Sequence, residues 1–122
     1  NGVEAFAPPC DALMRMRARG AAVVLITNAP RPSAVVARQL EKLHVPREIC
    51  DGIVSSGDVT RSVVEQRPGQ SLFHLGPERD RAIFTGLDVH FAPLESADYV
   101  VCSGLFDDET ETPPDYDGRF AD

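Results

Sequence analysis

The sequence lacks several features that would assign it to a specialised class. No apolar run approaches the ~20 residues needed to cross a bilayer, so no membrane-spanning helix is expected. Cysteines are few: Cys10, Cys50 and Cys102 are far apart, odd in number and without C-x-x-C spacing. That argues against a disulfide framework or a zinc site. Reduced, mostly buried thiols in a cytoplasmic protein are expected instead. Positive charge is short, with 12 Lys and Arg against 19 Asp and Glu and a net charge of −7. Phosphate-backbone binding needs the opposite sign, so nucleic acid is not an expected partner. Neither G-x-S-x-G nor G-x-x-x-x-G-K-[ST] occurs, which weakens hydrolase-triad and P-loop readings. Glycine (9) and proline (10) are present but scattered as punctuation, so collagen-like and low-complexity readings fail.

What remains has the balance of an ordinary soluble domain, 43% hydrophobic and 25% charged, and a disordered chain is excluded on that ground. The 122 residues allow one domain, or one domain with part of another. The chain begins at Asn1-Gly2 with no methionine and no signal-peptide pattern. It stops soon after a helix-start signal at Thr112-Pro113-Pro114. An internal piece of a longer chain is therefore expected.

Helical and extended patterns alternate. Pro8-Pro9 opens a helix over about Cys10–Arg19, closed by Gly20. Leu13 and Met16, flanked by Met14 and Ala18, supply its buried stripe, with Arg15, Arg17 and Arg19 facing solvent. Ala21–Ile26 is a continuous apolar run rich in β-branched residues and reads as a strand buried on both faces. Thr27–Pro32 is a loop, since two prolines and an asparagine exclude regular structure. Ser33 caps a second helix, Ala34–Leu43, with Val36, Leu40 and Leu43 inward. Ile53–Ser55 is a second strand, and Ser56 or Asp58 caps a third helix ending before Pro68-Gly69. Ser71–Leu75 is a third strand, followed by a helix holding Ile83, Phe84 and Leu87. A short strand at Val89–Phe91 and a firmer one at Tyr99–Cys102 complete the pattern. Repeated βα units imply an α/β fold, a mainly parallel sheet with helices on both faces. Pro68-Gly69 is the best boundary between subdomains, placing them at 1–68 and 69–122.

Ligands of open α/β sheets bind beyond the carboxyl ends of the strands. Thr27 and Asn28 stand there: the hydroxyl offers one donor and the amide two. The helix beginning near Ser33 adds free N–H groups, and Arg31 adds a charge. This set suits a phosphate or carboxylate; equally, Thr27 and Asn28 can satisfy the turn's own backbone.

The run Val23-Val24-Leu25-Ile26-Thr27-Asn28-Ala29-Pro30-Arg31-Pro32 resembles the second motif of the haloacid dehalogenase superfamily, an apolar strand ending in Thr or Ser. The Thr-Asn pair before a proline resembles its class IIA sugar and nucleotide phosphatases, which carry a C2-type α/β cap. Asn1-Gly2-Val3 resembles the tail of the first motif, and Val54–Asp58 the strand and turn after the second. Phe73-His74-Leu75-Gly76 and Asp98–Gly104 resemble the strands that begin the cap.

The resemblance implies a Rossmann-like core over 1–68, lacking its first-motif strand, followed by an incomplete cap over 69–122. It implies covalent phosphoryl transfer from a small phosphorylated metabolite to an aspartate, with Mg²⁺ offsetting charge and water cleaving the aspartyl-phosphate. Thr27, Asn28 and Arg31 become the substrate-binding residues. The nucleophilic aspartate is expected upstream. The third-motif lysine and the acidic Mg²⁺ ligands are expected beyond the cap, so the isolated chain is expected to be inactive.

Asp107-Asp108-Glu109, with Glu111, imitates a metal site, but its order is wrong for that family and an exposed acidic turn is the better reading. Asp58 suits an N-cap better than a contact to phosphate or Mg²⁺. His44, His74 and His90 are isolated and show no ligand spacing. Gly76–Asp80 reads as a plain strand–helix turn, and Cys102 has no adjacent base. Two functions stand: a fragment of a Mg²⁺-dependent phosphatase, or a non-catalytic α/β module binding a small anion or a protein partner. The oligomeric state is left open.

Overall fold

The computed structural model describes residues 4–107 and 109–116. Three α-helices and five strands follow in the order α1 (Ala7–Ala18), β1 (Val24–Thr27), α2 (Ser33–Lys42), β2 (Gly52–Ser55), α3 (Ser56–Glu65), β3 (Ser71–Leu75), β4 (His90–Phe91) and β5 (Tyr99–Cys102). Every strand pairing is parallel: β1 with β2 in one sheet, and β4-β3-β5 in a second. The α/β class with parallel strands and flanking helices is what the alternating pattern predicts. The strands fall into two small sheets because the chain forms two compact units, one up to Val59 and one from Thr60.

In the first unit, β1 is shorter than its apolar run and shifted by one residue to include Thr27. It is not buried on both faces. Burial alternates along it, with Leu25 and Thr27 partly covered and Ile26 84% exposed. A two-stranded sheet with one helix packed on it covers one face, and α2 packs against β2. The other face, with Val24, Ile26 and Val54, is open among the described residues.

Helix α1 also departs from expectation. It has no buried residue, and Met14 and Met16 are exposed. Its apolar side chains are spread around the helix, so no stripe exists to bury. Arg17, expected in solvent, does the holding instead. Its Nε donates to Asp51 Oδ2 at 3.2 Å, and its Nη1 donates to the Glu48 carbonyl. Ile49, in a 3-10 turn at Arg47–Ile49, is the buried apolar residue of this unit among those described.

The second unit has a firmer core. Val64 on α3, Leu72 on β3, Ile83, Phe84 and Val101 on β5 cluster together, with Leu87, Val89 and Tyr99 packed against them. Strand β3 is the centre of its sheet, and its burial alternates, with Leu72 and His74 inward. The expected helix after Gly76-Pro77 is a 3-10 segment, Glu78–Phe84. Its tighter repeat puts Asp80 and Ile83, three apart, on one buried side.

The cysteines are free thiols, but none is fully buried, and Cys102 is exposed at the end of β5. No helix among the described residues is long and apolar enough to cross a membrane.

Candidate functional site

Strands β1 and β2 are paired so that Thr27 lies opposite Ser55, the last residue of each. The chain therefore leaves both strands at the same rim, as two neighbouring turns: 28–32 after β1, and the start of α3 after β2. Thr27 is partly buried and its Oγ accepts a hydrogen bond from the Ala29 amide at 3.1 Å. This is the local turn bond that threonine commonly makes. It occupies a lone pair and leaves the hydroxyl proton available, because a hydroxyl is both donor and acceptor. Asn28 is exposed, and its amide has no partner among the described residues. Arg31 is partly buried, and its Nη1 reaches Gln39 Oε1 on α2 at 3.4 Å. Thr27, Asn28 and Arg31 thus share one turn at the carboxyl end of a parallel strand pair.

The second turn holds the first in place. Ser55 is 1% exposed and accepts from the Asp58 amide at 3.1 Å. Ser55, and not Ser56 or Asp58, is therefore the side chain that caps α3. The Asp58 carboxylate reaches the start of α2. Both its oxygens accept from the backbone N–H of Ser33, at 3.0 and 3.1 Å. Ser33 is the first residue of α2 and makes no side-chain cap of its own; Pro32 precedes it with nothing to offer the helix end. A carboxylate from 25 residues away thus takes the capping role expected of Ser33, and its charge suits the helix N-terminus. Burial works against ionisation of Asp58. The hydrogen bonds from Ser33 and Ser55 outweigh it and hold the carboxyl below the ordinary aspartate range. Gly57 donates to the Ala29 carbonyl at 3.2 Å. A Cβ on Gly57 would overlap the backbone of Arg31.

A cavity of about 500 Å³ lies beneath α2, lined by Ala37, Leu40, Ile49 and Ile53 among others. It includes none of Thr27, Asn28 and Arg31.

In the second unit, His74 on β3 and Ser103 just after β5 meet, with Nε2 and Oγ 2.9 Å apart. His74 is buried, edge-on to Phe84 at 5.1 Å between ring centres. Burial lowers its pKa, with the Arg81 charge adding to the effect and Asp80 and Glu78 opposing it. Gly76 packs so close to both that a side chain there would displace Ser103. The sequence treats His74 as isolated. Its signal is that β3 and β5 are parallel neighbours, which brings the ends of both strands together.

The acidic segment is an internally satisfied turn. Asp107 accepts from the Glu109 amide at 3.0 Å, and Glu111 accepts from the Asp107 amide at 2.7 Å and from the Tyr116 hydroxyl. Asp108 lies outside the described residues. No three His, Cys, Asp or Glu side chains converge as a metal site among the described residues. The Mg²⁺ implied by the resemblance thus has no ligand set among them.

Parallel strand pairs with a polar turn at their carboxyl ends define an α/β protein, and in open α/β sheets ligands bind at such strand ends. The chain belongs to the haloacid dehalogenase-like hydrolases: the family profile matches residues 1–90. It is similar to the crystal structure of a hydrolase of the haloacid dehalogenase-like family from Brucella suis 1330, with 47% identity and a TM-score of 0.89. That likeness covers 97% of this chain and 43% of the other, so the chain spans less than half the length of that relative. A comparison with curated proteins finds no match.

Proposed function

We propose that this chain is the phosphoryl-positioning part of a cytoplasmic, Mg²⁺-dependent phosphatase acting on a small phosphorylated metabolite. In this reading it belongs to the class IIA branch and ends within a C2-type cap. The Thr27 hydroxyl and the Asn28 amide donate to phosphoryl oxygens, and Arg31 adds positive charge to the same turn. The nucleophilic aspartate and the Mg²⁺ ligands come from residues outside these 122, so the chain alone does not turn over substrate. Mg²⁺, when bound, would offset phosphoryl charge.

One observation carries the reading: Thr27 ends a strand of a parallel pair with its hydroxyl proton unspent, beside an exposed amide with no partner among the described residues. Such donors hold a phosphoryl group by positioning and electrostatics rather than by covalent chemistry. Membership of a hydrolase family favours this over a non-catalytic binding module. The test is the complete hydrolase assayed on a generic phosphate monoester with Mg²⁺. Thr27→Ala is expected to lower kcat by about 10²–10³-fold, the loss seen when one preorganised donor is removed. Activity equal to the parent would remove Thr27 from the site.

A further inference from the structure

We infer that Asp58 is a positioning residue for the phosphoryl-holding turn, with Gly57 as its spacer; the inference rests on the function proposed above. The turn from Thr27 to Ser33 has little to fix its shape. Its internal bond is Ala29 N–H to Thr27 Oγ, Asn28 is exposed, and Pro30 and Pro32 have no N–H to give. Its far end is the first residue of α2, which lacks a side-chain cap.

Arg31 reaches Gln39 on α2, and two further ties come from the adjoining turn after β2. Gly57 N–H binds the Ala29 carbonyl at 3.2 Å, within two residues of Thr27. Asp58 binds the Ser33 N–H with both oxygens, at 3.0 and 3.1 Å. The Ser33 hydroxyl also bonds this carboxylate. Asp58 is itself fixed by its own N–H to the buried Ser55 Oγ, and Ser55 is locked opposite Thr27 in the strand register. The two ends of the turn, Thr27 at the end of β1 and Ser33 at the start of α2, are therefore bridged through Ala29, Gly57 and Asp58. Gly57 is required because the Arg31 backbone occupies the space a Cβ would take. The Asp58 carboxylate lies at Ser33, the far end of the turn, and its N–H lies at Ser55. Asp58 acts by holding the two ends of the turn that carries the three ligand donors named above.

A group that positions others should lose its effect once they are gone, and a group that merely stabilises the fold should not. The experiment is a double-mutant cycle in the complete hydrolase, measuring kcat/KM on a generic phosphate monoester with Mg²⁺, with melting temperature recorded for each variant. Asp58→Ala is expected to lower kcat/KM by up to about 10²-fold, the scale of a small misplacement of catalytic groups. In the Thr27→Ala/Asn28→Ala background the same change is expected to cost less than about twofold. Asp58→Asn keeps an acceptor for Ser33 and is expected to recover most of the activity. If Asp58→Ala does not fold, Gly57→Ala takes its place in the cycle, because its Cβ would displace the Arg31 backbone.

Equal losses in both backgrounds would overturn the positioning role. So would an Asp58→Ala enzyme as active as the parent while Thr27→Ala is impaired, which leaves the proposed function standing. Full activity in the Thr27→Ala/Asn28→Ala enzyme would overturn both.

Discussion

Thr27 accepts from its own turn, as the structural reading of such a residue predicts, and still keeps a proton to give. The two readings open in the sequence are therefore compatible in the folded chain, since a hydroxyl has separate donor and acceptor capacity. The neighbouring Asn28 has no such local bond among the described residues. His44 is the other residue whose backbone is informative. It follows α2 with φ of 59°, the left-handed region that disfavours any side chain. Its N–H bonds back to Glu41, so it terminates the helix where glycine is usual. His44→Gly is expected to raise unfolding free energy by about 0.5–1 kcal/mol, measured by urea titration, because relief of the strain exceeds the added chain entropy. An unchanged or lower stability would show that the histidine side chain contributes more than its backbone costs.

The helices and strands were legible to different degrees, for physical reasons. β3, with Leu72, Phe73 and Leu75, and β5, with Tyr99, Val100 and Val101, are short apolar runs between turn residues, and both lie where the pattern places them. The caps were not legible, because they come from other elements. Ser33 looks like an N-cap from its neighbours alone, yet Asp58 supplies the acceptor from across the strand pair. The same device closes the start of both sheets. Asp51 exchanges two bonds with Val23: its carboxylate accepts from the Val23 N–H at 2.7 Å and its own N–H donates to the Val23 carbonyl at 2.7 Å. Asp98 does the same with Ser71, at 2.7 and 3.0 Å. In each case an aspartate just before one strand satisfies the first N–H at the start of its parallel neighbour. Hydrogen bonds from that backbone N–H come first in lowering both pKa values, joined at Asp51 by Arg17 and at Asp98 by the Ser71 hydroxyl. Asp51→Ala and Asp98→Ala should each speed amide hydrogen exchange at the paired residue, Val23 or Ser71, and leave the other sheet's start unchanged. Simultaneous loss of protection at both would contradict this local account.

Across the chain, the two units bury polar groups differently. The first is closed by the serine, glycine and aspartate of one turn, with little apolar burial. The second buries His74 and Asp80 beside an apolar cluster. That difference sets a pH response. His74 has a folded-state pKa below its unfolded value of about 6.5, so the unfolded chain binds the proton more readily. Its contribution is complete above about pH 6.5 and is lost as pH falls through the folded value. The lowered carboxyl pKa values of Asp51, Asp58 and Asp98 act in a lower window, below about pH 3.9. Unfolding midpoints should therefore fall between about pH 7 and 5, and His74→Gln should flatten that slope. A slope unchanged in the variant would place the titrating group elsewhere.

The parallel α/β architecture follows from the alternation of apolar runs and helix signals. The exposed face of β1 does not, because an apolar run states what a strand can bury and not what covers it. The turn that carries Thr27 and Asn28 was legible from the prolines that follow an apolar run; its brace was not, because Ser55, Gly57 and Asp58 belong to another strand's end. In the function proposed above, this turn grips a phosphoryl group. The most direct measurement is a crystal structure of the complete hydrolase with orthovanadate, a mimic of the transferring group. The account predicts Thr27 Oγ and Asn28 Nδ2 within about 2.7–3.2 Å of vanadate oxygens. Vanadate bound elsewhere, with both side chains out of reach, would contradict it.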